Sequence, residues 1–238
     1  MRMYPREFPS GRRKKPKRQA ERRVYEALAG GDCQGFVYYE WRQGYGHIEL
    51  DFAVWVKNLG RFALQVKGGR YLLIHGDWYL KTRYGVKLIE SCPLDEAKLA
   101  ALDLHDDIED RACTPYNPYV IPVLVFPDME ADADIENLAK RKGVYVVWGV
   151  ENLLADLEQI LRSRRVSERL TMKGIAAEVL AVTDGQIRLD AAAAEETGKR
   201  PARPLVLSLW VGDRKILQVR AEETRLRLGT GFDTGEQP

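Results

Sequence analysis

Cysteine and histidine are scarce, with only three of each in 238 residues. Cys33, Cys92 and Cys113 are widely spaced and odd in number. That fits a reducing, cytoplasmic setting and gives no basis for a structural zinc site. His47, His75 and His105 have no metal-ligand spacing among themselves and receive no catalytic role. Long apolar runs are also missing. The longest span residues 119–126 and 144–148, far short of a membrane crossing. The N-terminus is basic with no apolar core behind it, so no signal peptide is visible. There is no phosphate-binding glycine loop before Gly198-Lys199, no Gly-x-Ser-x-Gly elbow, no His-Glu-x-x-His and no Cys-x-x-Cys pair. No internal repeat suggests an array.

What is present is the composition of a globular protein, with 45% hydrophobic and 30% charged residues. The chain is long enough to bury one good core with some length to spare. The net charge of +2 hides an asymmetry. Residues 1–23 hold ten Lys or Arg against Glu7 and Glu21, so the rest of the chain carries −6. Arg12, Arg13, Lys14, Lys15, Lys17 and Arg18 form a polybasic run that Pro and Gly keep out of a helix until about residue 18. Residues 1–18 therefore read as a basic flexible arm, either a solvated tail or a contact for phosphate backbones.

Chemistry concentrates in two adjoining segments. Residues 48–56 and 61–67 read as two strands joined by the turn Lys57-Asn58-Leu59-Gly60. Glu49 and Asp51 lie two apart and so share a strand face, as do Gln65 and Lys67. If the strands pair, acids, an amide oxygen and an amine converge. Such a set suits a divalent cation and a water for phosphodiester cleavage. A polar hairpin face is more often simply solvated. Here Ala53, Val54, Trp55 and Val56 are apolar in succession, as on an inner strand. An acid at the end of such a strand needs a partner or a cation.

The order Asp51-x(13)-Gln65-x-Lys67 resembles the PD-(D/E)xK nuclease superfamily, and the finer pattern resembles its nuclease-related domain (NERD) family. The series runs from Glu21 in a first helix through Glu49-Leu50-Asp51-Phe52, Gln65-Val66-Lys67-Gly68-Gly69 and Gly76-Asp77-Trp78-Tyr79. It ends at Ser91-Cys92-Pro93-Leu94-Asp95-Glu96-Ala97, which opens a long helix. The resemblance covers about residues 19–163. It implies a nuclease-like mixed α/β sheet flanked by helices and DNA as substrate. It also implies Mg²⁺ or Mn²⁺ held by Asp51, Gln65 and Glu21 or Glu49, with Lys67 as the catalytic amine and Gly68-Gly69 where a nucleic-acid backbone approaches. The family carries Glu where this chain has Gln65, and Gln where it has Glu96. Gln65 offers a neutral carbonyl oxygen, and Glu96 would restore negative charge near the site. A nuclease-fold module that binds nucleic acid without cutting is the alternative.

Around these motifs, helices are expected at 19–29, from Pro93 with the stripe Leu94, Ala97, Ala101, Leu104 and Ile108, near 134–141, and at 151–162. Strands are expected at 36–40, 71–75, 78–81, 120–126 and 144–148. Trp78 reads as core. Residues 19–163 form the nuclease-like domain in this reading. Residues 164–238 read as a small β-rich appendage and tail, with hairpin signals around Thr183-Asp184-Gly185 and Gly212-Asp213.

Overall fold

The computed structural model describes residues 1–9, 16–42, 49–112, 118–163 and 170–183. The hairpin expected around the turn at 57–60 forms the centre. Strands β3 (Glu49–Val56) and β4 (Gly60–Val66) are antiparallel and joined there. Asn58 at φ 61° and Gly60 at φ 135° take the left-handed backbone that reverses the chain. Every residue from Leu50 to Val56 is buried, as an inner strand requires. Around this pair, β1 (Arg2–Tyr4), β2 (Gly35–Arg42), β8 (Val120–Phe126) and β9 (Tyr145–Trp148) complete a mixed six-stranded sheet ordered β1-β2-β3-β4-β8-β9. The β1/β2, β4/β8 and β8/β9 pairs are parallel.

Helices cover both faces. On one, α1 (Pro16–Ala29) and α4 (Leu153–Ser163) bury Ala20, Val24, Leu28, Leu153 and Leu157 against the strands. On the other, α2 (Pro93–Ala112) buries Ala100, Ala101, Leu104 and Ile108, and the stripe read from the sequence is fully buried. α3 (Ala133–Lys142) starts at the Asp132 cap and ends at Gly143. A separate antiparallel sheet of β5 (Arg70–Ile74), β6 (Asp77–Thr82) and β7 (Gly85–Ile89) packs by Tyr71 and Trp78 onto Leu94 and Phe126. The architecture is thus α/β with a mixed sheet between helices. Among the described residues, no helix is long and apolar enough to cross a membrane.

Two expected boundaries need correction. Residues 1–9 are not arm. Arg2–Tyr4 pair with β2, and Met1, Met3 and Phe8 pack against the core. The amino terminus donates to the Gly31 carbonyl, and the Tyr25 hydroxyl donates to that of Pro5. Three residues are too few to show a strand period, and the surrounding arginines masked the apolar contacts. α1 also starts earlier than expected, at Pro16.

The second correction concerns residues after 163. Met172–Val182 form helix α5, capped by Thr171, and it packs on α2 and β2. It belongs to the main core, not to a β-rich appendage. Glu178 makes the attachment specific. It accepts two bonds from Arg61, at 2.6 and 2.5 Å, and one from the Trp55 indole at 3.0 Å. The hairpin signal at 183–185 and the later one at 212–213 lie at or beyond the end of the described residues. Arg12, Arg13, Lys14, Lys15, His47 and Cys113 also lie outside them.

Candidate metal and active site

The site forms where β3 and β4 part. Their pairing ends at Phe52↔Leu64, so Asp51 and Gln65 have no ladder bond between them. Side chains take over. Asp51 Oδ2 accepts from the Val66 amide at 2.7 Å. Gln65 Oε1 accepts from the Asp51 amide at 3.3 Å, and its Nε2 donates weakly to the Glu49 carbonyl at 3.4 Å. Gln65 thus spans the gap with both ends of its amide, which a carboxylate could not do because it has no donor.

On the other side, the β2/β3 pairing skips one step. Tyr39↔Phe52 and Trp41↔Leu50 are paired, but Glu40 and Asp51 between them are not. Glu40 has φ 56°, a left-handed conformation that breaks the ribbon's regular twist. Tyr39 and Phe52 pack toward α1 and α4, whereas Trp41 and Leu50 pack toward α2 and α5. The ribbon changes face at the level of Asp51. This break brings the end of β3 under the first turns of α1.

Glu21 arrives from α1 and is buried beside Asp51, with 2% and 1% of their surfaces exposed. Glu21 Oε2 accepts from the Tyr39 hydroxyl at 2.5 Å and from Arg18 at 3.1 Å. Lys17 reaches between the two acids. Its Nζ lies 3.2 Å from Asp51 Oδ1 and 3.6 Å from Glu21 Oε1. Burial, reinforced by the Asp51 charge, pushes Glu21 up to about 7. Burial also raises Asp51, against the opposing pull of Lys17 and the Val66 amide. Burial disfavours the Lys17 charge, but Asp51 and Glu21 outweigh it and hold the ammonium above the ordinary lysine range.

Lys67 continues β4 past its end, where its backbone amide donates to Val125 at 2.9 Å. Its ammonium pairs with Glu96 of α2, and the Ser91 hydroxyl holds the second Glu96 oxygen. Burial works against the Glu96 charge, but Lys67 and Ser91 prevail and keep it below the usual carboxylate range. Gly69 has φ 96°, and its amide is already taken by Asp128 Oδ2 at 2.8 Å, with Arg23 on the other Asp128 oxygen.

The structure thus gathers Glu21, Asp51 and Gln65, with Lys67 and Glu96 as a neighbouring pair. Glu49 is only half-buried. Among the described residues, it does not close with Glu21 and Asp51 into a three-carboxylate cluster. Lys17 and Arg18, expected among the backbone-binding cations, face these acids instead. Neither they nor Tyr39 stood out from the sequence as residues of this site. The spacing of Lys17 and Arg18 from Glu21, four and three residues back on a helix, is the signal that could have found them. A different trio, His105, Asp106 and Glu109 on α2, brings its ligand atoms within 4.8 Å of one another. His105 Nδ1 is engaged with the Pro118 carbonyl at 2.6 Å, and both acids are exposed. Neighbouring helix side chains of this kind are ordinary i, i+4 partners.

The Glu21, Asp51 and Gln65 donors are all oxygen, which suits a hard dication such as Mg²⁺ or Mn²⁺. The acids are buried side by side, and burial together with the Asp51 charge lifts Glu21 against the pull of Lys17 and Arg18. The residues therefore fit such an ion. No family model, curated protein or solved structure matches this chain.

Proposed function

We propose that the chain is a divalent-metal-dependent nuclease of the PD-(D/E)xK kind, in its nuclease-related branch, that hydrolyses phosphodiester bonds of DNA. One observation carries the reading. Asp51 and Glu21 are buried together at the parted ends of two central strands, with the Gln65 oxygen beside Asp51.

Asp51, Glu21 and Gln65 would hold Mg²⁺ or Mn²⁺, which supplies an activated water and stabilises charge growing on phosphorus. The chain's own groups do the rest. The Val66 amide fixes Asp51 in one orientation and leaves Oδ1 facing the site. Lys67 orients the attacking water and offsets charge on the phosphate, and Glu96 holds that side chain in place. Arg12, Arg13, Lys14 and Lys15 immediately precede in sequence the helix that carries Lys17 and Glu21. This supports an extended phosphate backbone as substrate.

A second reading has its own support. Lys17 stands where a cation would, and both ends of the Gln65 amide are engaged. A module that binds nucleic acid without cutting it fits those two facts. A panel of single-stranded, double-stranded and branched DNA, with RNA, separates the readings when assayed with Mg²⁺, with Mn²⁺ and with chelator. The nuclease cuts at least one member only with metal. Equal cleavage by Asp51→Ala or Lys67→Ala removes the assignment. Salt-sensitive binding without cleavage, unchanged by chelator, selects the module.

A further inference from the structure

We propose that Lys17 is a tethered cation that closes the metal site, so that a divalent ion binds only by displacing it; this rests on the metal-site reading above. Each acid has one oxygen committed to the framework and one turned to Lys17. Asp51 Oδ2 is tied to the Val66 amide, and Glu21 Oε2 to Tyr39 and Arg18. The remaining pair, Asp51 Oδ1 and Glu21 Oε1, are the oxygens that Lys17 holds at 3.2 and 3.6 Å. A dication needs those same two atoms, at about 2.0–2.6 Å. Lys17 and the ion cannot share them.

The way out is open. Lys17 lies in the first turn of α1, and its side chain is 52% exposed, against 2% for each acid. Its four-carbon stem turns about rotatable bonds without moving the helix. The committed oxygens do not depend on Lys17, so the acids keep their orientation when it leaves. Arg18, the next residue, cannot take its place because it is engaged by Glu21, Tyr39 and Glu40. Lys17 thus lowers the fraction of molecules open to metal. Apparent metal affinity falls by that fraction.

Mn²⁺ binding, read by the loss of its free-ion paramagnetic resonance signal, tests this on the full chain. Lys17→Met keeps the stem and removes the charge, and it should bind Mn²⁺ about tenfold more tightly than wild type, or better. Lys17→Arg keeps a cation and should not gain affinity. Equal Mn²⁺ affinity in wild type and Lys17→Met overturns the gate while the metal site stands. Absence of Mn²⁺ binding by both overturns the site and the gate together. Should Lys17→Met not fold without metal, nitrogen-15 spectra of lysine ammonium groups in wild type give the answer, with the Lys17 signal assigned through Lys17→Arg. Saturating Mg²⁺ should turn that signal from protected to rapidly exchanging. A Lys17 signal unmoved at saturation overturns the gate.

Discussion

Strand β4 starts at one set of buried charges and ends at another, and the two are built in opposite ways. At its start, Arg61 and Glu178 form a two-pronged pair, with 1% and 4% of their side chains exposed and the Trp55 indole on the same carboxylate. A planar, rigid guanidinium takes both oxygens of the carboxylate. At its far end, two buried acids share the half-exposed Lys17, Arg18 is divided between Glu21 and Glu40, and burial pushes Glu21 up to about 7. Both places have buried carboxylates with basic partners. The first holds α5 on the sheet. The second keeps a half-exposed lysine among its partners, and the burial of its acids is not fully offset, as the proposed cation site would require.

The largest test of the contrast is to neutralise each end. Glu178→Ala removes the buried carboxylate that Arg61 and the Trp55 indole share and should cost about 3–5 kcal/mol of stability. It should also release α5, seen as faster hydrogen exchange in residues 172–182. Glu21→Gln should do the reverse and raise the melting temperature of the metal-free protein at pH 8, because it removes charge that burial opposes. A loss of stability there as large as that of Glu178→Ala would erase the distinction between the two ends.

The next effect is on activity. Asp51→Asn should reduce metal-dependent cleavage by more than the roughly 10–100-fold that outlying partners of a ligand are worth. Lys67→Ala should also lower cleavage strongly while leaving Mn²⁺ affinity nearly unchanged. Glu96→Gln, which loosens Lys67 without removing it, should fall between wild type and Lys67→Ala.

Acidity sharpens the comparison further. An acid whose folded pKa is raised binds its proton more tightly in the folded state. Between the ordinary glutamate range and about pH 7 the folded protein then holds more protons than the unfolded chain, so stability falls as pH rises through that window. Thermal melts of the metal-free protein from pH 4.5 to 8 should show this decline, and Glu21→Gln should flatten it. Mn²⁺ should oppose it in wild type.

Much of this was legible in residue spacing. The hairpin, the α2 stripe and the alternation of Asp51, Gln65 and Lys67 follow from periods of two and about 3.6. What escaped was set by neighbours distant in the chain. Lys17 reads as one more cation in a basic run until α1 crosses the end of β3. Helix α5 is apolar almost throughout, so no amphipathic period marks it, and its one buried acid finds Arg61 117 residues away. The break at Glu40 and Asp51, which turns the ribbon over, depends on a left-handed residue that is not glycine, and composition does not flag such a position. Because residues 1–9 pack on the core, deleting the N-terminus would confuse folding with binding.

The smallest expected effect follows from that last point. Replacing Arg12, Arg13, Lys14 and Lys15 by Gln should leave folding intact and flatten the salt dependence of DNA binding, by roughly one unit of slope for each phosphate no longer neutralised. An unchanged slope makes the run a solubilising segment or a docking segment for another protein.

The most direct measurement is a crystal structure of the protein soaked in Mn²⁺, with the ion located by its anomalous scattering. A peak bounded by Asp51 Oδ1, Glu21 Oε1 and Gln65 Oε1 is expected, with the Lys17 ammonium moved out of the space it now fills. Lys17 still seated between the two acids, with no peak beside them or with the ion at His105, Asp106 and Glu109 instead, would contradict it.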